Sequence, residues 1–280
     1  MYLVTGATGN VGNLIVSQLL AAGHSVRAYV RDPAKLAQWA DRVDVVAGDY
    51  DTPDAFAQAL SGASGVFLMN IGDSNAFARL VEHIAAHRTP RVVFQSSLMA
   101  GYMPDELLGR LHREKEELIR AAGLDCRILR PGGFMSNTYS WIAGIKSRGV
   151  VENPLGAGRA PLIAPEDIAA VAVRALTDSS FDEEVLTLTG GEAISVPEQV
   201  AVLAEALGKR LLCIDISLEK AVQNLTQTGI PAPIAASIAK AYESVRDGGG
   251  VMATDTVERV TGRRPMRFEE WTRAHIERFA

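Results

Sequence analysis

The sequence has few cysteines, no long apolar run and no excess of positive charge. Its two cysteines, Cys126 and Cys213, are too few for a disulfide framework, and no Cys-x-x-Cys pair indicates a structural metal site. The longest apolar runs, such as residues 168–173, are far shorter than the roughly 18 residues of a membrane span. The first residues lack the basic stretch and apolar run of a signal peptide. These absences predict a cytoplasmic protein with reduced thiols, no metal site and no membrane partner.

The charge is nearly balanced. The chain carries 28 Lys and Arg against 33 Asp and Glu, which gives a net charge of −5 over 280 residues. A mildly acidic chain of this kind is not typical of a nucleic-acid-binding protein. Hydrophobic residues make up 48% and charged residues 22%, as in a globular protein with one large domain or a domain plus a smaller lobe. We expect a small-molecule partner and a monomer or homodimer.

Short apolar runs alternate with longer amphipathic runs through the first half of the chain. Strands are predicted at 2–4, 25–30, 43–46, 66–69, 91–94 and 126–129, with a further strand at 185–188 that returns to the same sheet. In the first intervening segment Val11, Ile15 and Leu19 are spaced by four and share one helix face. Alternating strands and helices predict an α/β fold with a parallel sheet covered on both faces.

The segment Gly6–Gly12 reads Gly-Ala-Thr-Gly-Asn-Val-Gly and lies between the first predicted strand and the first helix. In this setting Gly6 permits a tight turn, Gly9 allows a pyrophosphate to approach the backbone, and Gly12 lets the helix pack on its strand. The helix N-terminus offers unpaired N–H groups and the positive end of its dipole to phosphates. A lone glycine triplet is weak evidence for a nucleotide site, but this one lies between a predicted strand and a predicted helix and therefore predicts a dinucleotide site.

The end of the second predicted strand selects the cofactor. An acidic residue there would bind the ribose 2′-hydroxyl of NAD, whereas Arg31 and Lys35 offer two cations to a 2′-phosphate. Three roles are open for Asp32. It caps the short helix, it pairs with Lys35, or it takes the position of the acidic residue that binds an NAD ribose, if the alignment with that pattern is shifted by one residue. Alternatively, Arg31 and Lys35 are solvated side chains at the start of a helix and bind no phosphate. We favour NADP(H) over NAD(H), with Asp49 accepting from the adenine amino group and Tyr50 beside the adenine ring.

Five segments carry a resemblance to a known family. They are Thr5–Gly12, Val30–Lys35, Gly48–Tyr50, Leu129–Phe134 and Ala164–Ala169. In this order and spacing the chain resembles the NmrA-like branch of the atypical short-chain dehydrogenase/reductases. Within that branch it is most similar to the NADPH-dependent quinone oxidoreductase type 2 and triphenylmethane reductase group. The resemblance covers nearly the whole chain.

The resemblance implies a Rossmann-type doubly wound parallel sheet with a smaller, mainly helical substrate lobe, and a nicotinamide in the cleft between them. Residues 1–131 plus about 160–190 are predicted to form the NADP-binding domain, and about 132–159 plus 191–280 the substrate lobe. The implied cofactor contacts are Thr8, Gly9, Asn10, Val11, Arg31, Lys35, Asp49, Tyr50, Met69, Asn70, Ser96 and Ser97.

The catalytic Tyr-x-x-x-Lys pair of the wider superfamily is missing. Aligning Glu116 and residues 122–124 with the family pattern places the pair at Leu108 and His112. Leucine transfers no proton, so the usual carbonyl–alcohol mechanism is not supported. His112 is a candidate to hydrogen-bond the ribose or the substrate, with a solvated helix position as the alternative.

Four further residues are candidates for the substrate site. Ser96 follows the fifth predicted strand, where it either donates to an acceptor oxygen or only caps backbone. Phe134, Tyr139 and Trp141 either form an apolar wall for a flat aromatic substrate or belong to a helix core.

These motifs predict an NADPH-dependent oxidoreductase that transfers hydride to a planar, electron-poor acceptor such as a quinone, without the Tyr–Lys pair. In such a reaction the cofactor supplies the chemistry and the protein supplies position and electrostatics. Two alternatives remain open. One is a non-catalytic NADP(H)-binding redox sensor of the NmrA type, and the other is a biosynthetic reductase with a specific natural-product substrate.

Overall fold

A computed structural model describes residues 1–39, 41–49, 53–70, 73–178, 180, 182–250 and 252–280. The elements of the first half are β1 (Tyr2–Thr5), α1 (Asn10–Ala21), β2 (Val26–Val30), a 3₁₀ helix (Pro33–Trp39), β3 (Val43–Ala47), α2 (Pro53–Leu60), β4 (Gly65–Met69), α3 (Ser74–Ala86), β5 (Val92–Gln95), α4 (Met99–Tyr102), α5 (Leu107–Ala121) and β6 (Cys126–Pro131). Up to Pro131 each strand is followed by a helix, or by the helix pair α4 and α5 between β5 and β6.

The second half has shorter strands and more helices. Its elements are a 3₁₀ helix (Met135–Trp141), α6 (Ile142–Arg148), β7 (Val150–Asn153), β8 (Arg159–Ala160), α7 (Pro165–Thr177), β9 (Val185–Leu188), β10 (Ile194–Ser195), α8 (Val196–Leu207), β11 (Leu212–Asp215), α9 (Leu218–Gln227), α10 (Ala232–Arg246), α11 (Thr256–Thr261), α12 (Phe268–His275) and a 3₁₀ helix (Ile276–Arg278). Among the helices in the described ranges, none is long and apolar enough to cross a membrane.

Within the described chain, seven parallel strands form one sheet in the order β3-β2-β1-β4-β5-β6-β9. The order reverses at β1, which lies between β2 and β4. The Thr5 hydroxyl joins the two halves here, because it donates to Phe67 O at 3.1 Å and accepts from Met69 N at 2.8 Å. The predicted Rossmann-type doubly wound sheet is confirmed, and its reversal point is where such sheets bind ligands.

Helices bury both faces of the sheet. Side chains alternate along each strand, so Val4 and Phe67 belong to one apolar cluster while Leu3 and Val66 belong to the other. α1 and α7 cover the first face, and α2, α3 and α5 cover the second. The nearly continuous apolar strands in the sequence are explained by this two-sided burial.

A third apolar cluster lies outside the sheet, around Phe268, Trp271 and Phe279. It gathers residues from both segments predicted for the substrate lobe. Val257 and Val260 of α11 instead pack in the core of the main sheet, although they fall within the range predicted for the lobe. The division of the chain into two domains stays a prediction.

Candidate functional site

The turn from β1 to α1 needs glycine at both of its ends. Gly6 has a φ of 65°, and a Cβ there would lie 2.4 Å from Met69 Sδ. A Cβ at Gly12 would lie 2.2 Å from the carbonyl oxygen of Gly6. At Gly9 an added Cβ meets only that same oxygen, at 3.3 Å, among the described atoms within 4 Å. The outer side of Gly9 is therefore open to a ligand.

The start of α1 is suited to an anion. Gly9 is its N-cap, no side chain caps the helix, and its first turn holds no acidic residue. Its first N–H groups have no partner within the helix, so a pyrophosphate fits this end. Thr8 and Asn10 are exposed beside it, whereas the Val11 side chain is buried in the core, which leaves only its backbone for a phosphate contact.

The end of β2 and the short helix after it present two exposed cations. Arg31 and Lys35 are exposed, and neither has an ion-pair partner among the residues that the structure describes. Of the alternatives for Asp32, the structure has the helix cap, because its Oδ1 accepts from Ala34 N at 3.1 Å. This leaves Arg31 and Lys35 available for a 2′-phosphate.

The end of β3 is held by a residue that the sequence did not indicate. Tyr29 on β2 donates from its hydroxyl to Asp49 O at 2.5 Å, and its ring fills the space that a side chain at Gly48 would need. The predicted adenine contact Asp49 is half-buried at this turn. Tyr50, its predicted partner, lies outside the described residues.

A cavity of about 250 Å³ opens at the carboxyl ends of β4, β5 and β6, next to the glycine turn. Its lining residues are Met69, Asn70, Gln95, Ser96, Ser97, His112, Pro131, Gly132 and Phe134. The structure thus brings six residues predicted for the cofactor, catalysis or the substrate into one site: Met69, Asn70, Ser96, Ser97, His112 and Phe134. Ligands of open parallel sheets bind at this position.

His112 is held in a chain of polar contacts. The Asn70 side-chain nitrogen lies 2.8 Å from His112 Nδ1 and 3.1 Å from Nε2, and Lys115 Nζ donates to Asn70 Oδ1 at 2.5 Å. Burial and the nearby Lys115 charge lower the pKa of His112 to about 4. His112 is therefore a neutral imidazole at physiological pH rather than a solvated surface group.

Ser96 is engaged by a buried ion pair. Its hydroxyl donates to Glu116 Oε1 at 2.5 Å, and Arg130 donates to both oxygens of that carboxylate at 2.9 and 2.5 Å. Although burial alone would raise the pKa of Glu116, the hydrogen bonds from Arg130 and Ser96 and the charges of Arg130 and Arg120 hold it below its usual value. Of the two alternatives for Ser96, donation to an acceptor or capping of the backbone, the structure has neither, because its proton is directed at the Glu116 carboxylate. Ser96 still lines the cavity.

Two of the three predicted substrate-wall residues lie elsewhere. Phe134 lines the cavity, held by a parallel bridge to Ile163. Tyr139 instead packs against Trp271 and Phe279, with ring centroids 5.4 and 5.7 Å apart, and Trp141 packs on the same cluster. The 3₁₀ helix after Phe134 turns these rings into the third apolar cluster, so the structure brings neither of them to the cavity.

Leu108 lies one helical turn before His112 on α5. Its backbone N–H donates to Ser237 Oγ on α10 at 3.0 Å. The N-cap of α5, Glu106, makes no side-chain cap of its own. Among the described residues that line the cavity there is no tyrosine, so His112 is the titratable group available there.

The sequence reasoning missed two charged or polar residues of this site. Lys115 is only 5% exposed, and Gln95 is 7% exposed with a fully buried Oε1 that has no hydrogen-bond partner in the described structure. The spacing of residues in the sequence could have indicated that Lys115 is buried. His112, Lys115, Glu116 and Ile119 follow the i, i+3, i+4, i+7 spacing of one buried helix face.

The chain is similar to known NAD(P)H-binding proteins. The NAD(P)H-binding family matches residues 6–179. A (4-alkanoyl-5-oxo-2,5-dihydrofuran-3-yl)methyl phosphate reductase of Streptomyces griseus is 36% identical over 282 residues, covering 100% of this chain and 99% of the relative. An NAD(P)H azoreductase of Xenophilus azovorans is 33% identical, with the same coverage of both chains.

A solved structure has the same fold. The crystal structure of the NADPH-dependent quinone oxidoreductase of Escherichia coli in its NADPH complex superimposes with a TM-score of 0.85 at 23% identity. The match covers 99% of this chain and 100% of that one. The resemblance predicted from the five segments is confirmed. The chain belongs to the NAD(P)H-binding family and is an NAD(P)H-dependent oxidoreductase.

Proposed function

We propose that the protein reduces a planar, electron-poor acceptor such as a quinone, with NADPH preferred over NADH. The observation that carries this proposal is the cavity beside the glycine turn, in which the neutral side chain of His112 takes the place of a Tyr–Lys pair. When bound, NADPH supplies the hydride. The residues that would hold it are the N-terminal turn of α1 with Gly9, and Arg31 with Lys35 for the 2′-phosphate.

The cavity residues support a conjugated acceptor. Phe134 gives the cavity an aromatic surface, and Met69 and Pro131 add apolar lining. An acceptor that takes hydride into a conjugated system spreads the resulting charge over its oxygen or nitrogen atoms. A neutral imidazole N–H stabilises such an atom by a hydrogen bond and needs no strongly acidic group.

The names of the relatives point to the same acceptor chemistry. Azo compounds, quinones and a dihydrofuranone with a carbonyl group next to its double bond all accept hydride into a conjugated, electron-poor bond. The full-length match to the Streptomyces griseus reductase favours a second candidate function. In that function the protein is a biosynthetic reductase whose specific substrate is an acyl-substituted unsaturated lactone.

The experiment is a panel assay. Purified protein is mixed with NADPH or NADH and with quinones, azo dyes or acyl dihydrofuranones, and the loss of nicotinamide absorbance is followed. We expect turnover of at least one neutral conjugated acceptor, faster with NADPH. A rate confined to the dihydrofuranones would support the second function. Binding of NADP and NADPH with unequal affinity but no turnover of any acceptor would contradict both and favour a sensor.

His112→Ala is expected to lower kcat/KM for the acceptor about tenfold, the effect of one lost hydrogen bond in a buried site. NADPH affinity, measured by fluorescence titration, separates an effect on the acceptor from an effect on the cofactor. His87→Ala is the matched control, because His87 is exposed at the C-terminal end of α3 and does not line the cavity. Equal rates for His112→Ala and wild type would remove His112 from the mechanism.

Gln95→Leu is expected to change stability and binding in opposite directions. The buried Oε1 of Gln95 has no partner within the described structure, so an apolar side chain of similar shape should leave the melting temperature unchanged or raise it. The same change removes an amide from the cavity wall and should weaken acceptor or cofactor binding by about tenfold. Thermal unfolding and steady-state kinetics measure the two effects.

Gln18→Leu is the contrasting control for Gln95. Its amide donates to Glu166 O at 3.3 Å, away from the cavity. This variant should lose stability and keep its kinetics. If Gln95→Leu behaves in the same way as Gln18→Leu, Gln95 has no ligand-binding role.

A further inference from the structure

A buried lysine lies behind His112, and the amide of Asn70 stands between the two. We propose that Lys115 is a positioning residue that acts through Asn70 to fix His112 in one neutral tautomer, with Nδ1 accepting from Asn70 and the proton on Nε2. That the Nε2–H then serves an acceptor rests on the function proposed above. The arrangement of the three side chains does not depend on it.

The position of Lys115 is the first step. Its side chain is 5% exposed, and its Nζ lies 5.3 Å from the centroid of the Phe77 ring. Lysine is seldom buried to this extent without a partner that compensates for the loss of water. Lys115 Nζ donates to Asn70 Oδ1 at 2.5 Å, which gives the ammonium a partly buried acceptor beside the site.

The ammonium decides which way the Asn70 amide faces. An ammonium group has donors and no acceptor, so the amide oxygen of Asn70 must face Lys115. The amide NH₂ group then faces His112, in agreement with the distance of 2.8 Å between the Asn70 nitrogen and Nδ1. An alternative amide orientation would bring the NH₂ donors against the ammonium, so the charge excludes it.

The amide in turn decides the state of the imidazole. An NH₂ group donates, and a protonated imidazole has N–H donors at both nitrogens. The nitrogen of His112 that faces Asn70 must therefore carry a lone pair. Both ring nitrogens lie within hydrogen-bond distance of the Asn70 nitrogen, and we assign the lone pair to the nearer one, Nδ1, at 2.8 Å against 3.1 Å for Nε2, which leaves the single ring proton on Nε2. A hydrogen bond to one ring nitrogen commonly sets the role of the other.

The surroundings of His112 on balance favour its neutral form. Burial and the Lys115 charge lower the pKa of His112, the Glu116 charge opposes them, and the net result is a pKa of about 4. Glu116 is bound by Arg130, which limits that opposition. Burial also lowers the pKa of Lys115, and nearby carboxylates raise it. The charged groups around the pair are Asp73 at the start of α3, Glu114, Glu116 and Arg120 on α5, and Arg130 on β6.

The test uses the cofactor-free protein and ¹⁵N-labelled histidine. NMR gives the pKa and the tautomer of His112, which is assigned by the signal lost in His112→Ala. In wild type we expect a pKa near 4 and a proton on Nε2. In Lys115→Met the pKa should rise by about one unit and both tautomers should be populated. Lys115→Arg, which keeps the charge and the donors, should restore the wild-type tautomer.

Arg113→Met is the matched control. Arg113 is on the same helix next to His112, but its side chain is exposed and pairs with Glu117 at 3.6 Å. Removing its charge should leave the tautomer unchanged. A wild-type pKa and tautomer in Lys115→Met, or an equal shift in Arg113→Met, would overturn the proposal.

Asn70→Asp tests the chain of contacts without changing Lys115, and it decides the matter if Lys115→Met fails to fold. A carboxylate only accepts, so His112 must donate to it, and the pKa of His112 should rise by about one to three units. An unchanged pKa in Asn70→Asp contradicts the proposal.

The pH profile gives a second readout where turnover is found. A neutral His112 is required, so activity should fall as the pH drops through its pKa, near pH 4 in wild type. This acid limb should move to higher pH in Lys115→Met and remain in place in Arg113→Met. Absence of turnover would contradict the proposed function alone, because the NMR result stands without it.

Discussion

Glu116→Gln is expected to lower the free energy of unfolding by about 3–5 kcal/mol at pH 7, as the loss of one partner of a buried ion pair does. The Glu116 side chain has no exposed surface, and Arg130 holds both of its oxygens. The substitution leaves the half-buried guanidinium of Arg130 without its counter-charge. It also removes the carboxylate that accepts from Ser96. Chemical denaturation followed by circular dichroism measures the change.

Glu117→Gln is the control for this prediction. Glu117 is the next residue of α5, but it is 62% exposed and its contact with Arg113 is 3.6 Å long, so its loss should cost less than about 0.5 kcal/mol. The double variant Glu116→Gln, Arg130→Met should lose less than the two single changes together, because no unpaired buried charge remains. Similar losses for Glu116→Gln and Glu117→Gln would contradict the interpretation of this pair.

The ion pair of Glu116 and Arg130 also predicts that the free energy of unfolding depends on pH. The pKa of Glu116 in the folded protein is below its ordinary value of 4.5. A carboxyl with a lowered pKa contributes stability above its unfolded pKa, and that contribution disappears as the pH falls through the folded pKa. The stability difference between wild type and Glu116→Gln should therefore be full at pH 7 and shrink below about pH 4.5. A difference that stays constant down to low pH would show that the charge of Glu116 is not its source.

Arg31→Ala is expected to weaken NADPH binding by about ten- to a hundredfold and leave NADH binding nearly unchanged. A hydrogen bond between charged groups contributes about 1.5–3 kcal/mol, and Arg31 is the guanidinium at the end of β2 that is free to meet a 2′-phosphate. NADH has a hydroxyl in place of that phosphate. Fluorescence titration with both cofactors gives the two dissociation constants.

Arg42→Ala is the matched control for Arg31. Arg42 is an exposed cation close by in the sequence, and its guanidinium lies over the Trp39 ring at 5.6 Å. Its removal changes the net charge by the same amount as Arg31→Ala. It should weaken the binding of NADPH and NADH only slightly, and by the same factor. Equal weakening of NADPH and NADH in Arg31→Ala would contradict the assignment of Arg31 to the 2′-phosphate.

The sheet and the cofactor side of the site were predictable from local sequence. Each buried parallel strand is a short apolar run, and the glycines at 6, 9 and 12 are needed where the backbone comes within contact of itself or of a ligand. All strands predicted for the main sheet occur, including the returning strand at β9. Such features depend on neighbouring residues, and a single sequence carries that information.

The acceptor side of the site could not be predicted from local sequence, because it is formed by contacts between segments that are distant in the chain. Arg113 to Glu117 is a run of five charged residues, and which of them is buried is decided by how α5 packs against α3 and β6. Ser96 donates to Glu116, whose carboxylate is held by Arg130 from another strand. Tyr139 points away from the cavity because the chain after Phe134 turns into a 3₁₀ helix. None of these facts follows from composition or spacing alone.

The hydrogen bond from Leu108 N to Ser237 Oγ has a consequence for the order of folding during synthesis. α5 has no cap from its own N-cap side chain, and the group that satisfies its second N–H is 129 residues further along the chain. Domains form from the N-terminus as the ribosome releases the chain. The strands around the glycine turn are complete long before residue 237 emerges. The helix that carries His112 gains this hydrogen bond at its first turn only when α10 arrives.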